Sequence, residues 1–550
     1  MVRLFQSMPK QERRRVVVII TAATIASTLP YLLGWVVAGI HHYFMADNPM
    51  GSADTNVYFS FMKQAEQGKV FAENLFTSEP QRGSLLHPLW LLLGWIAGLF
   101  RLSIPFVYHA ARAVLGVAFL VMVYRIIAEL FVDTRSRLVA LSLLAFSSGL
   151  GTYFSVGSWS NYSVLLLLLP ADQWVSEGNT FLTLMHSPLF ILSQILLVGI
   201  LWSLVRDRDA RQNPFWLGCL VFLLGLIHPY DLVTVAAVAV ALILARALAK
   251  DTTQTRDVLR RSIRRCILVG LFALPPMIYY YLAGKIEPAI GLWSKQNVTE
   301  SPLPHSYIIG YGAILAFAVA GFAAWRKTKD TGKLLVLTWS VTSILLLYIP
   351  IQINRRFSNG LHIPLVLLAT VGITMLWGWA EKRFPFHQTL RHALVATLCW
   401  TIGIALFLSN AVLLATSLYV EWWSDNASVY APRSTIAAMD WLEKNAPKES
   451  VVMAGFLDGN LLPARTGLRV YVGHGHQTVN WGQKVDFVTQ KFFRASYKDA
   501  DRRQFLLDNN IAYLLYGPDE QSLGDFLPQN APYLIPVFTD GDVSVYRVER

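Results

Sequence analysis

The sequence predicts a polytopic α-helical membrane protein followed by a small α/β domain. Composition, the length of the apolar runs and a change of character near residue 424 carry that prediction. Of 550 residues, 54% are hydrophobic and 15% charged, and the mean hydropathy is +0.42. Several apolar runs reach the ~20 residues that cross a ~30 Å hydrocarbon core as a helix. The net charge of +12 is uneven. From Asp425 onward 13 Lys+Arg face 15 Asp+Glu, while the preceding part carries 34 against 20. Basic excess confined to the apolar part is a topology signal and gives no reason to expect a nucleic-acid partner.

The first element begins with Lys10, Arg13, Arg14 and Arg15 ahead of an apolar run at 16–40. That run is too long for a signal peptide and lacks a small-residue cleavage site, so a retained first helix is expected. Further runs lie at 106–131, 138–155, 181–205, 213–228, 231–249, 266–283, 306–325, 334–350, 361–380 and 392–420, about eleven helices in all. Each would satisfy its own backbone, as a bilayer requires. The stretch LLHPLWLLLGWIAGLFRLS at 85–103 is a twelfth candidate. If it does not span, the inner segments 1–15, 132–137, 206–212, 247–265, 326–333 and 381–391 hold 23 Lys/Arg in 66 residues. The outer loops 39–105, 156–180, 228–231, 284–305 and 351–360 then hold 8 in 128. A span at 85–103 would reverse every later loop and put RDRDAR and RDVLRRSIRR outside. Charge bias therefore makes 85–103 a juxtamembrane helix in the outer interface. The expected location is the plasma (inner) membrane, with a cytoplasmic N-terminus and an extracytoplasmic C-terminal domain.

Residues 1–423 thus form the membrane module, and 424–550 a soluble domain. In the latter, ESVVMAG, LRVYVG, AYLLYG and DVSVYRVE read as strands. RSTIAAMDWLEKNA, KVDFVTQKFF and DADRRQFLLDNN read as helices between them, which suggests a mainly parallel sheet. No phosphate-binding glycine motif stands at a strand–helix junction. Cys219, Cys266 and Cys399 all fall in apolar runs and offer no disulfide framework.

Candidate chemistry concentrates in the outer loops. The first loop holds Asp54, Tyr58, Glu66, Glu73, Glu79 and Arg82; in a helix, Asp54 and Tyr58 share a face at i, i+4. The second holds Asp172 and Glu177. Its leucine run needs apolar cover, and packing on the first loop would bring these acids near Asp54. Converging carboxylates suit a divalent cation, or a base and its partner. Arg355 and Arg356 break the inward bias for positive charge at an outer helix end, where paired guanidinium groups bind phosphate. His228 and Asp231 of HPYD fit a tight turn. The 284–305 loop carries Trp293, Lys295, Gln296 and His305, which suit a cleft lining. His474 and His476 are too weak a pattern for a metal site. The triplets at 161, 297 and 426 match a glycosylation acceptor pattern common by chance.

Taken together, ADTNVYFSFMKQAEQG, LLHPLWLLLGWIAGLF, PADQWVSEGNTF and the tail AMDWLEKNAPKESVVMAGFLDGNLLPARTGLRVYVGHGHQT resemble C-type membrane glycosyltransferases, the GT-C fold. The resemblance runs over nearly the whole chain and is to the protein O-mannosyltransferase and aminoarabinose transferase group. Asp54 is followed by Thr55 where many relatives have Glu, and His87-Pro88-Leu89 stands where many have Pro-Pro-Leu. Trp422, Trp423, Ser424 and Asp425 are only superficially like the oligosaccharyltransferase WWD motif, so protein N-glycosylation is not expected. The resemblance implies sugar transfer from a polyprenyl-phosphate donor to an extracytoplasmic acceptor. Asp54 would act as general base or orient the acceptor hydroxyl. Asp172 and Glu177 would assist it or bind a metal such as Mg or Mn, with Asp54 as a further ligand. Arg355 and Arg356 would hold the donor phosphate, with Tyr58, His87 and His228 in support and membrane lipids around them. The alternative is a transporter or flippase of a lipid or glycan. Such proteins place ionisable groups at mid-membrane, where His109, Arg112, Arg125 and Glu129 are candidates.

Overall fold

The computed structural model describes residues 8–40, 42–47, 53–158, 169–206, 214–248, 254–383, 388–423 and 426–549. The triplet at 161, most of the leucine run at 165–169, most of RDRDAR, and Ser424 and Asp425 lie outside them. The described residues form two compact units. One comprises residues up to Leu29, Ala110–Ile278 and Thr299–Thr416; the other comprises Pro30–His109, Tyr279–Val298 and Ser417 to the C-terminus.

Helix covers most of each of the eleven apolar runs, with that at 181–205 broken at extended Ser187. Among the described residues, eight helices are long and apolar enough to cross a membrane: Lys10–Ala38, Ile104–Leu130, Pro188–Val205, Tyr230–Leu248, Leu259–Ile286, Pro304–Trp325, His362–Ala380 and Gly403–Trp422. The runs at 213–228 and 334–350 give the shorter helices Pro214–Ile227 and Thr331–Leu346. The run at 138–155 is divided. Helix Thr134–Phe146 stops where Ser147 turns extended, and an eight-residue helix starts at Gly151. The juxtamembrane stretch forms Pro88–Phe100, opened by Pro88 and closed by Arg101 in the left-handed region. Its 13 residues extend ~20 Å, well short of a ~30 Å core. In the first unit, helices Pro304–Trp325 and His362–Arg383 touch backbone to backbone. A Cβ on Gly321 would stand 1.9 Å from the Leu368 carbonyl oxygen, and one on Gly372 2.2 Å from that of Phe317. Small residues allow such approach where water supplies no drive for helix association.

In the second unit, β1 (His42–Phe44) pairs antiparallel with β2 (Tyr430–Pro432). The remaining strands are β3 (Val451–Met453), β4 (Arg469–Val470), β5 (Ile511–Tyr516), β6 (Leu534–Asp540) and β7 (Val543–Val548). They form one sheet in the order β4-β3-β5-β7-β6. The expected mainly parallel sheet is in fact mixed. β4, β3 and β5 run parallel, while β7 pairs antiparallel with both β5 and β6. The cause is local: β6 and β7 are joined at Gly541–Asp542, with Gly541 at φ +56, and so short a connection forces a hairpin. Alternate residues bury on opposite faces. Val452, Tyr513 and Leu515 pack with Ile436, Met439, Leu461 and Leu462 on one side. Val451, Met453, Leu514 and Tyr516 pack with Phe492, Phe493 and Leu506 on the other.

Candidate active site

In the second unit, Asp54 opens helix Asp54–Glu66, where the helix dipole favours a carboxylate. Its side chain is 45% exposed, and its Oδ1 lies 3.1 Å from Nε2 of His474, whose own side chain is 4% exposed. The Nδ1 of His474 accepts the backbone N–H groups of His476 and Gln477, each at 3.1 Å. A neutral imidazole with Nδ1 so engaged carries its proton on Nε2, and that proton is donated to Asp54. The carboxylate is therefore aimed by a ring whose tautomer is set by the ring's own loop.

That loop is in turn fixed from several sides. Thr478 Oγ1 accepts the amides of Gly473 and His474 and donates to the Phe76 carbonyl. Asn460 donates to Gly473 O at 2.8 Å and accepts from Asn56 at 2.7 Å. Gln296 of the 284–305 loop donates to Thr478 O and accepts from Asn480 N, both at 2.9 Å. Helix Phe456–Thr466 passes so close that a Cβ on Gly473 would stand 2.2 Å from the Gly459 carbonyl oxygen. The remainder of the first loop is tied down by ion pairs: Lys63 to Glu443 at 2.7 Å, Glu73 to Arg469 at 2.7 Å and Glu79 to Lys484 at 2.8 Å. Arg82 N donates to Glu287 at 3.0 Å. Tyr58 and His87 flank Trp90 in a ring stack, with centroids at 4.6 and 5.4 Å. Tyr58 thus supports the helix that carries Asp54.

Asp172, Glu177, His228, Arg355 and Arg356 belong to the first unit. Asp172 is 2% exposed, and its Oδ2 accepts the amides of Gly149 and Gly151 at 3.0 and 3.2 Å. Burial pushes its carboxyl up to about 6, and the Gly151 and Gly149 amides only partly oppose this. Glu177, 3% exposed, meets Arg356 Nη1 at 2.5 Å. Burial alone would raise this carboxyl, but Arg356 and Arg355 together hold it down at about 2. Arg355 lies with its guanidinium 4.9 Å from the centre of the Trp174 ring, and among the described residues no carboxylate pairs with it. The structure therefore brings Glu177 together with both arginines and uses Asp172 to close the 149–151 turn.

A buried polar chain adjoins that group. Asn359 donates to Asp231 at 2.8 Å and to Ser193 at 2.9 Å, and accepts from Gln194 at 3.0 Å. His228 Nδ1 stands 3.0 Å from Asp231 Oδ2, without hydrogen-bond alignment. His362 bridges Ser147 and Thr180. Two buried groups of helix Ile104–Leu130 meet backbone carbonyls: Arg112 donates to Ser27 O at 2.9 Å, and His109 Nε2 meets Ala46 O at 3.0 Å. Among the described residues, no group of three or more His, Cys, Asp and Glu could hold a metal ion.

Sequence reasoning missed His474 as the partner of Asp54 and did not single out Asn359, Gln194 or His362. One signal was present for His474. His-Gly-His directly follows the LRVYVG stretch, and loops beyond the carboxyl ends of strands in α/β sheets are where ligands bind.

Comparison with known proteins agrees with the fold. No curated protein matches the chain. Among solved structures, the Archaeoglobus fulgidus oligosaccharyltransferase tethered to an acceptor peptide is similar at TM-score 0.51 and 13% identity. That match covers 91% of this chain and 69% of the other. The archaeal oligosaccharyltransferase AglB from the same organism, with an inhibitory peptide and a dolichol-phosphate, gives 0.50 and 14% over 97% and 74%. ArnT from Cupriavidus metallidurans gives 0.49 and 13% over 96% and 97%. At these identities the first two show the GT-C fold alone. With its apolar helices, the chain is an integral membrane protein of that fold. Residues 180–550 match the model of DUF6541, and the chain belongs to that family of unknown function.

Proposed function

We propose that this chain is a membrane glycosyltransferase that moves a sugar from a polyprenyl-phosphate carrier to an extracytoplasmic acceptor, with Asp54 as the base. The observation that supports this most is the half-exposed Asp54 carboxylate, held at 3.1 Å by buried His474. The carboxylate takes the acceptor hydroxyl's proton as that oxygen bonds to the anomeric carbon of the sugar. The bond from that carbon to the carrier phosphate breaks, and its electron pair leaves with the phosphate. His474 keeps its proton and aims the carboxylate. A base so placed contributes roughly 10²–10⁴-fold.

The carrier phosphate gains charge as it departs and needs cationic donors already in place. Arg355 is given that role, because Trp174 holds it and the short ion pair of nearby Glu177 goes to Arg356 and not to it. Arg356 is committed to Glu177 and acts through it as a positioning residue, as Asp172 does through the 149–151 turn. Glu177 is engaged by Arg356, and Asp172 through its Oδ2 by two amides; no step is routed through a cation. The dolichol-phosphate reported with AglB belongs to that protein and makes the same class of carrier the reasonable one here. On the positive-inside reading the Asp54 loop and the C-terminal domain lie on the extracytoplasmic side, where cytoplasmic nucleotide sugars are not to hand and a lipid-linked donor is needed.

The test is to reconstitute the full chain in vesicles with polyprenyl-phosphate-linked sugars. Release of polyprenyl phosphate together with a glycosylated acceptor is expected. Movement of intact donor across the bilayer, with no bond broken, would make the transporter reading correct.

A further inference from the structure

The first unit contains a second feature that the proposed reaction does not use, a cavity of about 630 Å³. Its walls include Leu143, Ile373 and Leu406, and it is bordered by Arg15, Arg135 and Trp377. The Arg135 guanidinium lies 4.1 Å from the centre of the Trp377 ring. Neither Arg355 nor Arg356 lines the cavity.

The local charge is unbalanced. Two acids lie nearby in sequence, and both are engaged elsewhere. Glu12 binds Arg137 at 3.2 Å and Thr134 at 2.8 Å, and Asp133 caps Ser136 N at 2.7 Å. Arg15 and Arg135 are exposed, and among the described residues no carboxylate pairs with either. An apolar channel bordered by two unneutralised guanidinium groups and a tryptophan matches a lipid with an anionic head. Basic pockets between membrane helices hold anionic headgroups, and tryptophan favours the interfacial depth at which those headgroups lie. The basic residues Lys10, Arg13 and Arg14 on the same first turns of helix Lys10–Ala38 add to the attraction.

We infer that this cavity is a binding site for an anionic phospholipid. An acyl chain lies along the apolar walls, and Arg15 and Arg135 hold the headgroup phosphate. The site is separate from the donor-phosphate role given to Arg355, and its test does not depend on catalysis.

The full chain is equilibrated in detergent with equal phosphatidylglycerol, phosphatidylcholine and polyprenyl phosphate, and the retained lipid is read by native mass spectrometry. Phosphatidylglycerol should be retained roughly thirtyfold over phosphatidylcholine, since two basic residues at about 1 kcal/mol each favour the anionic headgroup. That preference should vanish in the Arg15→Gln/Arg135→Gln double variant. Gly403→Leu supplies a second arm. Gly403 borders the cavity, and a Cβ there meets nothing within 4 Å. Its leucine should therefore fill the cavity and lower retention without touching either arginine. Equal retention of the two phospholipids overturns the inference, as does a preference that survives the double variant or retention unchanged by Gly403→Leu. Arginine-dependent displacement of phosphatidylglycerol by polyprenyl phosphate overturns it as well, by assigning the cavity to the lipid-linked substrate.

Discussion

Arg355 and Arg356 are adjacent in sequence and differ in circumstance. Arg356→Gln would leave Glu177 charged and 3% exposed without its 2.5 Å partner. A cost of roughly 3–5 kcal/mol is expected, seen as a lower melting temperature. Arg355→Gln removes a stacked cation that acts on Glu177 only without a direct ion pair, so the loss of stability should be smaller while donor binding weakens. Equal melting temperatures for the two variants would contradict this division. The Glu177 pair also sets a pH window. With the folded carboxyl held at about 2, below its ordinary 4.5, its stabilisation is complete above about 4.5 and is lost as pH falls toward 2. Asp458 works in the opposite sense. Burial, then the neighbouring Asp519, push it up to about 7 from 3.8, and its Oδ2 has no hydrogen-bond partner among the described residues. A raised carboxyl stabilises fully below the unfolded value and loses that stabilisation as pH rises through the folded one. The C-terminal domain should therefore melt higher at pH 5 than at pH 8. Burial, Asp458 and Asp519 raise the neighbouring Glu520 as well, so Asp458→Asn should reduce that slope and the Asp458→Asn/Glu520→Gln double variant reduce it further; an unchanged slope in both would place its origin elsewhere.

Helix Asp54–Glu66, helix Phe456–Thr466 and the 473–478 loop hold one another through backbone approach and amide hydrogen bonds. Gly473→Ala tests that arrangement. Its Cβ would stand 2.2 Å from a backbone oxygen, which no rotamer change can relieve, so the loop must move. A loss of about 1–3 kcal/mol is expected, with activity falling further than stability because His474 shifts with the loop. Wild-type turnover in this variant would show that His474 need not be held where it is. These elements also show what sequence pattern reveals. The 88–100 helix was legible from its apolar run, whereas the Asp54–Glu66 helix entered only as a condition of the i, i+4 argument. The β6–β7 hairpin was missed because LIPVFTD at 534–540 was not read as a strand, and with it went the Asp540-Gly541 turn signal. The Asp54–His474 pair spans 420 positions, and no local periodicity reports so distant a contact. The roles of Asp172 and Glu177 were hidden for a related reason. A carboxylate in a polar-looking loop gives no sign in sequence that backbone amides or a guanidinium will enclose it.

The two compact units share the chain unevenly, and the division explains what pattern could and could not supply. Apolar runs and charge bias describe the helices one at a time, whereas the second unit is assembled from the 30–109, 279–298 and 417–550 segments. The charge bias, 23 basic residues in 66 positions of one set of segments against 8 in 128 of the other, predicts which set faces the cytoplasm. In a cysteine-free background, a cysteine replacing exposed Lys444 should react with a membrane-impermeant thiol reagent in intact cells. One replacing exposed Arg135 should react only after permeabilisation. The reverse pattern would invert the topology and put Asp54 in the cytoplasm. The measurement that bears most directly on the proposed function is single-turnover sugar transfer by wild type and Asp54→Asn, with polyprenyl-phosphate-linked donor saturating and both proteins shown to be folded by melting temperature. A fall of roughly 10²–10⁴-fold in the chemical rate, with donor affinity unchanged, is expected. An equal rate in the two proteins would contradict the role of Asp54 as the base.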